Sequence, residues 1–135
     1  MFSRTVSSFL CATLLIFCLA CGDTYDLQSI EISPATPAIT GIGLSQQFKV
    51  VAKYSNGKSQ DVTARATYAI QAPAGPVLAP LTAVTLSASG RLQVIDTACT
   101  WNTGVSYPYV VTATFDTFTS KSFVAVTSAT GCNAT

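Results

Sequence analysis

Between Leu44 and Tyr54 apolar and polar residues change places almost one by one. Phe48, Val50, Ala52 and Tyr54 fall on one face and Gln47, Lys49 and Lys53 on the other, with Val51 the exception. Side chains that switch sides at each residue describe a β-strand with one buried face. Ser55-Asn56-Gly57-Lys58 follows, and Asn-Gly tolerates the positive φ angles of a tight hairpin turn. A strand around Gln60–Thr63 is therefore expected to fold straight back.

The pattern recurs along the chain. Leu27, Ile30 and Ile32 mark a first strand that ends at Ser33-Pro34 and again at Pro37, because proline cannot donate to a central ladder. Tyr68 and Ile70 centre a short strand over Ala66–Gln71. Val84 and Leu86 lead through the turn Ser89-Gly90 into Leu92 and Val94. Val111, Ala113 and Phe115 share a face of the next strand, Tyr109–Asp116, and Val124 and Val126 share a face of the last, Phe123–Thr127. Residues 72–81, with Pro73, Gly75, Pro76 and Pro80, read as a loop. So do residues 97–108, which hold Cys99, Trp101 and Tyr107. No segment after residue 26 has a helical apolar period. The expectation is an all-β sandwich of seven or eight short antiparallel strands.

Ahead of that domain, Phe9–Ala20 is an uncharged run of twelve residues that follows Arg4. A bilayer-spanning helix needs roughly 20 apolar residues, so the run fits a signal-peptide core. Leu19-Ala20-Cys21 resembles the lipobox of bacterial lipoproteins, with Cys18 standing where an aliphatic residue is usual. The resemblance implies residues 1–20 as a cleaved signal peptide and Cys21 as the lipidated first residue. Residues 21–26 are then a short polar tether and 27–135 the domain. Two or more acyl chains give stable anchoring, so the protein is expected at the bacterial envelope, at the outer membrane or cell surface. The plain alternative is secretion with a free Cys21.

Cysteine arithmetic bears on that choice. Of five cysteines, Cys11 and Cys18 leave with the signal peptide, and Cys21, Cys99 and Cys132 remain. An odd number in an exported protein asks for a reason, and lipidation of Cys21 supplies one. Cys99 precedes one strand and Cys132 follows the strand expected to pair with it. Both then fall at one end of the sandwich, where a disulfide can form in an oxidising compartment. Two free thiols acting as a redox pair are the functional alternative.

Little else suggests reaction chemistry. The chain has no His, which removes the commonest general base and metal ligand. Carboxylates are spread singly, without the Asp-x-Asp runs of calcium loops. The expectation is a protein that is not an enzyme, needs no cofactor or metal, and is monomeric. Only 10% of residues are charged, and the basic ones are scattered, which argues against nucleic acid as a partner. Envelope proteins or glycans remain as partners.

The order of motifs is similar to the bacterial Ig-like domain of the group 2 type, found in surface adhesins. Leu27–Pro34 resembles the family's opening strand and Gly43–Tyr54 its glycine-led strand. Ser55-Asn56-Gly57 with Asp61-Val62-Thr63 matches its turn signature, Ser87–Leu92 its later hairpin, and Val111–Phe115 its closing strand. Tyr68 stands where the family usually has Trp, and both loops are longer than typical. The resemblance implies a non-catalytic Ig-like sandwich with a structural or adhesion-type binding role. Trp101 and Tyr107 raise the alternative of a carbohydrate-binding loop, since exposed aromatic residues stack on sugar rings. The other reading of Trp101 is a plug on the open end of the sandwich. A further alternative is an accessory subunit of an envelope assembly.

Overall fold

Phe48 breaks the long strand that the alternation describes, and the break decides how the layers are built. The computed structural model describes residues 25–74, 79–95 and 105–127. Among these residues the strands are β1 (Leu27–Ser33), β2 (Ala38–Thr40), β3 (Ser45–Gln47), β4 (Lys49–Tyr54) and β5 (Ser59–Asp61). They continue with β6 (Thr67–Gln71), β7 (Val84–Leu86), β8 (Arg91–Val94), β9 (Ser106–Phe115) and β10 (Phe118–Thr127). A single 3-10 turn, Leu81–Ala83, precedes β7.

Before Phe48 the chain pairs with β8, and after it with β1. At the break the Phe48 N–H donates to the Gly90 carbonyl, 2.8 Å away, while the Phe48 ring is fully buried. One layer therefore runs β1–β4–β5 and continues across the break into β3–β8–β7; the other is β2–β10–β9–β6. In chain order the first layer sets the opening strand beside the second, then the fifth and fourth; the other joins the third, sixth and seventh. That is the immunoglobulin-like arrangement. Splitting Leu44–Tyr54 and adding the short β2 raise the number of strands above the seven or eight expected.

One pairing departs from the all-antiparallel expectation. After β1 the chain crosses to the opposite layer through residues 34–37 without reversing, so β2 runs parallel to β10. Phe123 and Ala125 of β10 donate backbone N–H groups to the Ala35 and Pro37 carbonyls along this crossing. Ser122 is the buried polar side chain here, and its hydroxyl donates to the Pro34 carbonyl at 2.7 Å.

The core lies between the layers. β1 contributes Ile30 and Ile32, β4 Val50 and Ala52, β8 Leu92 and Val94, β9 Tyr109, Val111 and Ala113, and β10 Val124 and Val126. Each set alternates with outward residues, as the sequence indicates. β9 starts three residues earlier than expected and takes in Tyr107 and Pro108. The reason is local: β6 ends opposite Val110, so beyond that point one edge of β9 has no strand from β6 and can hold a residue without an N–H.

The Asp61-Val62-Thr63 segment works as a buckle. The Asp61 carboxylate accepts the Thr63 N–H at 3.0 Å, and the Thr63 hydroxyl accepts the Val50 N–H at 2.9 Å. The Val62 side chain is buried between them, its N–H on the Val50 carbonyl.

Candidate functional site

Among the described residues, a cleft lies at the β4–β5 hairpin. Its loop is a three-residue connection. Gly57 N–H donates to the Tyr54 carbonyl, Tyr54 N–H donates to the Lys58 carbonyl, and Gly57 takes φ 77°. A type I turn closed by a left-handed glycine has this form, so of Asn56 and Gly57 only the glycine needs a positive φ. The β7–β8 hairpin repeats the scheme at Ser87, Gly90 and Arg91. Asn56 holds the turn from inside, its Oδ1 accepting the Lys58 N–H at 2.9 Å.

The hairpin also captures the start of the described chain. Ser55 N–H donates to the Asp26 carbonyl at 2.9 Å, and Asp26 N–H donates to Ser55 Oγ at 3.2 Å. This brings Tyr25 against the turn, where Lys58 Nζ lies 5.6 Å from the centre of its ring. At that distance the ammonium feels the negative face of the ring. On the other side the Tyr54 hydroxyl donates to Gln60 Oε1 at 3.2 Å.

Tyr25, Tyr54, Asn56, Lys58, Ser59 and Gln60 together line a cleft of about 470 Å³. Asn56 Nδ2 is buried and has no hydrogen-bond partner among the described residues. Its amide orientation is fixed by the bond that Oδ1 makes, so the unmet group is a donor. Among the described residues of the lining, Lys58 is the one that carries a charge. Two aromatic walls, an unmet amide donor and an ammonium make a place to bind; the described lining residues hold no nucleophile beside a base.

The residues singled out from the sequence fare differently. Cys21, Cys99, Trp101 and Cys132 lie outside the described residues. Tyr107 lies in β9, only 5% exposed, and belongs to the core. Its ring therefore has no free face for a sugar, and a glycan site built on Trp101 with Tyr107 loses one of its two platforms. In the sequence the cleft residues read as tether (Tyr25), turn (Asn56, Lys58) and strand (Tyr54, Gln60). The one local signal is a tyrosine beside each of two polar stretches, Tyr25 near the end of 22–26 and Tyr54 at the start of 55–61. What joins them is hydrogen bonding between residues far apart in the chain.

No family model matches the chain. A stretch of 42 residues is 48% identical to ice-binding protein 1 of Shewanella frigidimarina (strain NCIMB 400), covering 31% of this chain and 5% of that protein. Among solved structures, a three-domain immunoglobulin segment of titin, in a Glu-to-Ala variant, aligns over 77% of this chain and 31% of its own. That alignment has 14% identity and a TM-score of 0.34. The class stated here, an Ig-like β-sandwich, is defined by the strand order and layers described above.

Proposed function

We propose that the protein is a lipid-anchored, non-catalytic binding or structural module of the bacterial cell envelope, built on one Ig-like domain of the group 2 kind. The observation that carries the anchor is Leu19-Ala20-Cys21 closing an uncharged run just ahead of the first strand at Leu27. No helix among the described residues is long and apolar enough to cross a membrane. Support for the family reading comes from Asp61-Val62-Thr63 and Ser89-Gly90, the motif residues that hold the hairpins together. The stretch shared with the ice-binding protein is 5% of that protein and fits a common building block, so ice binding is not carried over.

The test is direct. Intact mass from a bacterial host should show a chain that begins at Cys21 and carries acyl groups, and Cys21→Ser should free the protein from membranes. A Cys21→Ser protein that stays membrane-bound defeats the anchor. The Cys99–Cys132 bridge belongs to the same proposal, and non-reducing peptide mapping should recover the two residues in one linked peptide. Recovery of both as free thiols would refute the bridge.

A further inference from the structure

We propose that the cleft at the β4–β5 hairpin binds an acidic saccharide, a uronate ring, between Tyr25, Tyr54 and the Asn56–Lys58 turn. This gives a ligand to the binding role proposed above and does not depend on the lipid anchor. A volume of about 470 Å³ is within the range of small-ligand sites and has room for a sugar ring. Tyr25 and Tyr54 supply an apolar wall, and the C–H face of a pyranose sits well on the electron-rich face of an aromatic ring.

Polarity selects among sugars. The unmet groups of the lining are donors: Asn56 Nδ2, buried with no partner among the described residues, and the Lys58 ammonium, which has only a ring beneath it in the described contacts. A buried donor without an acceptor is costly, and a ligand oxygen would relieve it. A carboxylate on the sugar meets both needs, with one oxygen on Asn56 Nδ2 and a charge-assisted contact to Lys58. None of the described lining residues is a carboxylate, which favours an anion over a cation there. Ser59 and Gln60 are placed for the ring hydroxyls, and Gln60 is already ordered by the Tyr54 hydroxyl. The site is also prearranged, since the Ser55–Asp26 bonds hold the backbone next to Tyr25 and the Asn56–Lys58 bond fixes the turn. Less ordering is then left for binding to supply.

The experiment is a titration of the isotopically labelled full-length protein with glucuronate, galacturonate and tetragalacturonate, followed by NMR and calorimetry. Glucose, galactose and vesicles of anionic phospholipid serve as comparisons. A uronate should shift the Asn56 side-chain amide and the Tyr25 and Tyr54 ring signals, and bind at least tenfold more tightly than the neutral sugars. Asn56→Asp keeps the oxygen that caps Lys58 N–H but replaces the donor with an anion, so it should weaken binding at least tenfold without unfolding the hairpin. Lys58→Met should erase the preference for uronate over neutral sugar, and Tyr54→Phe should keep it. Silence of these signals at tens of millimolar uronate overturns the proposal. So does uronate binding that Asn56→Asp leaves unchanged, equal affinity for glucose, or a response to the vesicles alone. Cys21→Ser should titrate like the parent, so failure of the anchor and failure of the site are read separately.

Discussion

The ring of Tyr68 occupies the space a side chain at Gly90 would need. A Cβ on residue 90 would lie 2.5 Å from Tyr68 Cζ and 2.8 Å from its hydroxyl oxygen. Gly90 also has φ 77°, a left-handed conformation that costs other residues roughly 1–2 kcal/mol. Tyr68 cannot easily retreat, because its hydroxyl donates to the Thr63 carbonyl at 2.9 Å. Two strand layers thus meet through one aromatic ring on one glycine.

Gly90→Ala should therefore cost about 2–5 kcal/mol, the backbone strain plus an overpacking cost of ~1–3 kcal/mol. Gly57→Ala is the control: φ is again 77°, but nothing lies within 4 Å of its Cβ, so only the backbone part, about 1–2 kcal/mol, should be lost. Urea unfolding of both variants decides it. Equal losses at the two glycines would show that the Tyr68 ring gives way freely.

Thr63 holds the β4 end of the buckle by its hydroxyl. Thr63→Val keeps the shape and removes the acceptor of the Val50 N–H, leaving that part-buried donor unmet. A loss of about 1–2 kcal/mol is expected, with Thr63→Ser much closer to the parent. If Thr63→Ser is as damaging as Thr63→Val, the methyl group and not the hydroxyl carries the contact.

Acid should weaken the fold through two exposed carboxyls. The hydrogen bond and charge of Lys53, 2.7 Å away, hold Glu31 below its ordinary value of 4.5. Asp61 is held below 3.8, first by the Thr63 hydroxyl and then by the Thr63 N–H, with a smaller part from Lys49 at 3.6 Å. Folded-state values below the unfolded ones mean stability that is present above pH 4.5 and 3.8 and is lost as pH falls through the lowered values. The melting temperature should stay level down to about pH 5 and then decline. The pair Glu31→Gln and Asp61→Asn should flatten that decline, and an unchanged acid slope in the double variant would assign it to other groups.

How much of this was legible in the chain differs from residue to residue. Val50 and Ala52, or Val124 and Val126, declare their face by alternation alone, because burial on one side of a strand leaves a period of two. The break at Phe48 leaves no such mark. Its side chain points inward as it would on an unbroken strand, and only the pairing with Gly90, distant in sequence, turns the backbone. Tyr107 was hidden by Pro108, which reads as loop until the end of β6 supplies an edge that can hold it. Tyr25 was hidden more completely. Nothing local distinguishes a tyrosine in a tether from one that Ser55 and Asp26 draw against a turn.

Ser122 offers the clearest test of the crossing between layers. It is fully buried on β10, and its hydroxyl reaches the Pro34 carbonyl at 2.7 Å and the Ala35 carbonyl at 3.2 Å. Ala35 already accepts the Phe123 N–H, whereas no other donor to Pro34 is seen among the described residues. Ser122→Ala should thus cost about 1–3 kcal/mol, the range for leaving a buried polar group unmet. The effect should also be local. Hydrogen exchange at the Phe123 and Ala125 amides, which hold the 34–37 segment, should quicken more than at Tyr54, whose N–H bonds to Lys58 at the end of β4 away from Ser33. Uniform quickening at all three amides would mean that Ser122 supports the sandwich as a whole, and that the crossing is not tied down by this one hydroxyl.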